Sequence, residues 1–111
     1  MIDHAQLDSL IELLGKDTIN VIRLEFVEDS HEKMTQLEQA WEKRDYDELQ
    51  HISHSLKSAS LNMAMQAVAK QCQLIEMAAS QQSEQGIQAI IDDLPSLHQA
   101  SLHELEMHFS K

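Results

Sequence analysis

The sequence predicts an all-α fold: an antiparallel up-and-down four-helix bundle with a short additional N-terminal helix. Two observations carry that expectation. Only 2 Gly and 1 Pro occur in 111 residues, and 4% aromatics accompany 42% hydrophobic residues, so the turn chemistry and the β-branched or aromatic runs that sheets need are missing. Apolar residues recur instead at steps of three and four, over stretches long enough for four helices joined by short connections. A chain of this length buries one core, which predicts a single domain over residues 1–111.

Each element has its own signal. Leu7, Leu10, Ile11 and Leu14 share one helical face and Gly15 follows, so residues 4–14 read as a short helix closed by a glycine. Asp17 is positioned to cap the next helix, which carries Ile22, Phe26, Met34, Leu37 and Trp41 on its buried side and runs to the charged stretch 42–45. Asp45, three residues before Glu48, has capping-box character and opens a third helix with the apolar stripe Leu49, Ile52, Leu56, Ala59 and Met63. His51, His54, Ser58 and Asn62 fall on the opposite face, so His54 is expected to meet solvent. A fourth helix from about Ala64 to Ser80 buries Val68, Cys72, Ile75 and Ala79 and leaves Ala69, Gln73 and Glu76 on its flank. After a polar connection from Ser80 to Gly86, a last helix starts near Ser83 and buries Ile87, Ile90, Ile91, Leu94, Leu97, Leu105 and Phe109. Pro95 inside it is expected to kink or divide it, because proline removes a backbone donor and crowds the preceding turn.

Charge and composition remove several functions. With 19 acidic against 8 basic residues the net charge is -11, which repels phosphate backbones and anionic lipid. Nucleic acid and membrane are therefore not expected partners. The single Cys72 has no internal disulfide partner, the opening MIDHAQLDSL lacks the basic flank and apolar core of a leader, and no apolar stretch is long enough for a bilayer. The expectation is a soluble, cytoplasmic protein. There is no Gly-rich phosphate loop followed by Lys and Ser or Thr, so nucleotide-driven kinase chemistry is not expected.

The most specific signal is HSLKS at residues 54–58, followed by Asn62, Ala64 and CQLIE at residues 72–76. In these residues, with the Leu-rich start, Gly-Lys-Asp at 15–17 and Phe26, the chain resembles histidine-phosphotransfer (HPt) domains. Their central helix carries His-x-Leu-Lys-Gly, with a small residue ten positions after the His and a Cys-x-x-Leu-Glu-like segment on the next helix. Ser58 replaces the usual Gly, and Ala64 stands where another Gly is common. A Ser after the Lys is similar to standalone bacterial phosphorelay proteins of the quorum-sensing type.

The resemblance implies a phosphorelay carrier, not an independent enzyme. His54 would take a phosphoryl group from a receiver-domain aspartate and hand it to another receiver. Lys57 would sit near the phosphoryl oxygens, and Glu76 would orient the imidazole. No intrinsic cofactor or metal is implied, since the receiver partner supplies Mg2+ and the aspartate. Expected partners are response-regulator receiver domains and a hybrid sensor kinase, docking on Ser58, Ser55 and His51 with Leu7, Ile11 and Leu14 from the first helix; a monomer is expected. Chemically, transfer needs an unprotonated imidazole nitrogen, and an imidazole near its ordinary pKa of about 6.5 is largely neutral at neutral pH. Attack through Nε2 requires the ring proton on Nδ1, which an acceptor from a neighbouring helix would fix.

Two other readings use the same residues. Glu28 with His31, and Glu48 with His51, each spell the Glu-x-x-His spacing of carboxylate-histidine metal bundles; those sites project into the core, whereas both pairs here fall on polar faces. A helical adaptor that binds a signalling partner without chemistry would share the fold and differ only at His54.

Overall fold

A computed structural model describes residues 1–110. It is all-helical, with α1 at His4–Leu14, α2 at Lys16–Glu42, α3 at Tyr46–Asn62, α4 at Gln66–Ser80 and α5 at Ile87–Phe109. The 27 residues of α2 rise about 40 Å at 1.5 Å each, and this helix sets the 41 Å long axis of the molecule. Contacts run from α2 to α3, α3 to α4, α4 to α5 and α5 back to α2, so the four long helices enclose one core, while α1 packs on α2. Leu37, Leu49, Leu56, Val68, Cys72, Ile75, Ile87, Leu94 and Leu105 are fully buried there. Burying each aliphatic side chain contributes about 1.5–3 kcal/mol.

The helix starts follow local chemistry. Asp3 accepts from the Gln6 amide at 3.1 Å, and Asp45 accepts from the Glu48 amide at 3.2 Å, each satisfying an otherwise unpaired first-turn donor. Gly15, at φ 89°, ends α1 and leads directly into α2, and its amide bonds to Ile11 O at 2.8 Å. Asp17 is therefore not the cap: α2 already begins at Lys16, and Asp17 lies in its first turn with no capping bond from the residue before the helix. There its charge still suits the positive end of the helix dipole.

Other expectations are corrected by packing. Ile22 is 40% exposed, and Ile19 occupies the buried position one turn earlier. Ala69, expected on a flank, is buried. The fourth helix starts at Gln66, because Ala64 takes φ 62° in the turn between α3 and α4. The fifth starts at Ile87, after left-handed Gly86. Ile90 and Leu97 are half-buried against the core. Pro95 does not divide α5, which runs unbroken from Ile87 to Phe109; the proline is on the exposed face while Ile91, Leu94 and His98 stay packed on the other, and that packing holds the segment helical against the lost bond.

Candidate functional site

The α3–α4 turn sets the register of the site. His54 and Glu76 lie eleven residues on either side of Met65, and the two helices have the most extensive contact in the molecule. The turn is closed by Met65 N–H bonding to Ser60 O at 2.8 Å, with buried Ala64 in the left-handed region. That conformation costs a non-glycine residue about 1 kcal/mol, which explains why glycine suits this position. The N-terminal segment braces the turn: Asp3 N–H donates to Ala64 O at 2.7 Å, and the Gln6 side chain donates to Leu61 O at 2.8 Å.

Folded this way, the chain brings His54, Lys57 and Glu76 together. Glu76 is the hub. Its Oε2 lies 2.6 Å from His54 Nδ1 and its Oε1 lies 2.6 Å from Lys57 Nζ. The Glu76 and Lys57 side chains are only 18% and 22% exposed, whereas that of His54 is 60% exposed. Partial burial pushes the Glu76 carboxyl up, but hydrogen bonds from Lys57 and His54, reinforced by their charges, outweigh it and hold the group below its ordinary range. An ionised carboxylate only accepts, so Nδ1 carries the proton and donates it. In the neutral ring this leaves the lone pair on Nε2, pointing away from Glu76 toward solvent.

A shallow concavity of about 340 Å³ surrounds the ring, lined by Asp47, Gln50, His51, His54 and Glu76. Asp47 and Gln50 had no place in the sequence reading. Their signal was present, because residues 47, 50, 51, 54 and 58 are spaced by threes and fours and share one face of α3. Ser58 and His51 are exposed beside His54, and Ser55 is half-buried. A second recess of about 330 Å³, between α2 and α3, is lined by Ile22, Phe26, Ala59, Asn62 and Met63 with Glu25 and Asp29 at its edge.

The α1 docking residues separate. Leu7 is fully buried in the core and presents no surface to a partner, a correction of the expectation above. The same helical spacing that made it conspicuous also directs it inward. Ile11 is half-buried against the core, and Leu14 is 54% exposed. Of the Glu-x-x-His pairs, Glu28, His31, Glu48 and His51 are all exposed, and among the described residues no three His, Cys, Asp or Glu groups converge as a metal site would require. Cys72 is buried in the core near the hub; burial, with the Glu76 charge, pushes its thiol up to about 12 despite Lys57.

Residues 21–106 match the family model described as the Hpt domain. Among solved structures, the chain is similar to histidine-containing phosphotransfer protein B (HptB) from Pseudomonas aeruginosa PAO1. That match has a TM-score of 0.91 and 28% sequence identity, and covers 98% of this chain and 94% of that one. Comparison with curated proteins gives no match.

Proposed function

The chain belongs to the Hpt domain family, and from that premise we propose that His54 is its phosphoacceptor. The family role is that of a phosphotransfer intermediate in two-component signalling, working with response-regulator receiver domains. One observation carries the assignment of His54: its Nδ1 is held 2.6 Å from Glu76 while 60% of its side chain stays open to solvent. This arrangement suits in-line transfer, since it fixes the tautomer and leaves Nε2 free on the outer face.

The proposed step balances simply. The Nε2 lone pair attacks phosphorus, the bond to the receiver's aspartyl oxygen breaks, and its electron pair leaves on that carboxylate. The ring gains positive charge, which the Glu76 carboxylate offsets through the Nδ1–H bond. Lys57 shares Glu76 in the resting state, and its mobile ammonium is one turn from His54; we assign it to the incoming phosphoryl oxygens. Passing the group on reverses the step toward a second receiver. Mg2+ and the acceptor aspartate belong, in this reading, to the receiver.

The same reading takes residues 1–111 as one domain, with α2 to α5 as an antiparallel up-and-down bundle and α1 as the added N-terminal helix. It assigns docking to the surface around His54, namely His51, Ser55 and Ser58, extended by Leu14, Ile11 and the recess at Ile22 and Asn62. Charge discourages nucleic acid, and among the described residues no helix is long and apolar enough to cross a membrane. A cytoplasmic monomer fed by a hybrid sensor kinase completes it.

The test is phosphoryl transfer from a phosphorylated receiver or hybrid kinase to wild type and to His54→Gln, followed by acid and alkali treatment. Label that is acid-labile, alkali-stable and absent from the variant supports the assignment. Equal labelling of a folded His54→Gln protein would remove His54 from the role, and a wild type unlabelled by a panel of receivers would favour the adaptor.

A further inference from the structure

Away from this site, histidines and carboxylates meet where α1 lies beside α5. His4 and Asp8 stand one turn apart on α1, and Glu104 and His108 one turn apart on α5. Their side chains form a continuous series: Glu104 Oε1 to His4 Nε2 at 3.0 Å, His4 Nδ1 to His108 Nδ1 at 2.9 Å, and His108 Nε2 to Asp8 Oδ1 at 2.8 Å. The ring centroids are 5.0 Å apart, so the two Nδ1 atoms point at each other, and an N–N separation of this size is that of an N–H···N hydrogen bond.

Hydrogens can be counted along the series. A carboxylate only accepts, so both Nε2 atoms must carry hydrogen. Between the two Nδ1 atoms, one must donate and the other accept. The three bonds therefore use three hydrogens on four ring nitrogens, whereas two neutral imidazoles hold two. With both rings neutral, either two Nδ1 lone pairs face each other or an Nε2 lone pair faces a carboxylate. With both rings charged, two N–H groups collide at Nδ1. We propose that this cluster is a proton-binding site that latches α1 to α5, holding one proton more than two neutral rings when α1 is docked.

The surroundings suit a single shared positive charge. The His108 side chain is 8% exposed and that of Glu104 29%, so a charge there needs compensation on the spot. Charged groups face it from each element. Asp8 comes from α1, Glu104 comes from α5, and from α2 comes Arg23, which lies over the Phe109 ring at 5.4 Å, the ring itself standing edge-on to His108 at 6.2 Å; the Asp3 carboxylate just before α1 is engaged instead by the Gln6 amide and the Gln66 side chain. The cation of Arg23 is thus held behind an aromatic ring, while two carboxylates touch the imidazoles.

The sign of the linkage follows. Two separated neutral rings carry one proton fewer than the bonded pair, so docking α1 takes up a proton. Docking must weaken as pH rises, with a limiting slope of about tenfold per pH unit for one proton. Because α1 also braces the α3–α4 turn through Gln6 and Leu61 O, the proton secures an element that supports the phosphotransfer helix pair.

The experiment is hydrogen exchange of α1 backbone amides in the full-length protein, corrected for intrinsic exchange, between about pH 6.5 and 8.5. Wild type is expected to lose α1 protection with rising pH, toward tenfold per unit. His4→Gln, at a ring 47% exposed on the surface, and His108→Gln should abolish that slope while α3 and α4 stay protected. A flat wild-type profile, or the same slope in both variants, overturns the proposal. Should a variant fail to fold, nitrogen NMR of the wild-type rings decides it: three protonated nitrogens in the pair near neutral pH support the latch, and two refute it.

Discussion

Replacing Glu76 should slow phosphoryl transfer in a graded order, wild type fastest, Glu76→Gln next and Glu76→Ala slowest. The carboxylate makes a 2.6 Å bond to His54 Nδ1, and the ring becomes positive only as phosphorus is attacked. A hydrogen bond to a charged group contributes about 1.5–3 kcal/mol. Solvent reaches 60% of the His54 side chain, which screens the pair and favours the lower end, about 1.5–2 kcal/mol. At 1.36 kcal/mol per factor of ten, that predicts a loss of roughly 10- to 30-fold for Glu76→Ala. Glutamine retains an accepting oxygen without its charge. Neutral bonds are about half as strong as charge-assisted ones, so Glu76→Gln should lose about 1 kcal/mol, or roughly fivefold. The assay is a rapid-quench single turnover from a phosphorylated receiver, with urea unfolding run alongside to show that each variant is folded. Glu76→Ala transferring within about twofold of wild type would refute the reasoning, since the Nδ1 bond would then contribute nothing to the transition state.

Acid stability should depend on His98, which is 3% exposed and bonded through Nε2 to Ser30 Oγ at 2.8 Å. Burial, with a smaller effect of His31, pushes it down to about 4. The unfolded ring titrates near 6.5, so between pH 6.5 and 4 the native state binds fewer protons than the unfolded state, and stability drops as pH falls across that window by a ceiling of roughly 3 kcal/mol. Urea titrations should show a shallower acid slope in His98→Gln, and identical slopes would count against this origin. Leu56→Ala, at the residue just before Lys57 but on the buried side and fully inaccessible, should cost about 2–5 kcal/mol by opening a cavity, and an unchanged urea midpoint would contradict the packing. Cys72 should resist thiol reagents in the native protein, because its thiol stays protonated near neutral pH; rapid native labelling would show that the core opens at α4. Ser58→Trp should leave stability within about 0.5 kcal/mol, since the position is exposed, yet reduce transfer by crowding the surface around His54. A variant that transfers normally would place the receiver elsewhere.

Local patterns carried much of this protein's architecture. The periodic stripe of α3 put Leu49, Ile52 and Leu56 in the core and His54 in solvent, because a face is a property of residue spacing alone. Gly15 and Asp45 marked helix ends through conformational freedom and capping geometry that neighbours along the chain supply. Spacing failed where the environment decides. Leu7 has the pattern of either a surface stripe or a core contact, and only the packing of α1 shows it to be buried. Pro95 carries the local signature of a break, but contacts on the opposite face outweigh its cost.

The candidate site divides the same way. HSLKS placed a histidine and a lysine one turn apart on an exposed face before any fold was known, since both belong to one helix. That Glu76 would touch both was decided by the α3–α4 turn, where left-handed Ala64 and the bracing from Asp3 and Gln6 fix the register of two helices. The His4–His108 pair was invisible for a stronger version of that reason, being separated by almost the whole chain. Sequence by itself determined the helices and the faces they present, because those depend on interactions within a few residues. Only the tertiary structure decided which faces meet, because a hydrogen bond between distant residues exists only after packing has brought its donor and acceptor within reach.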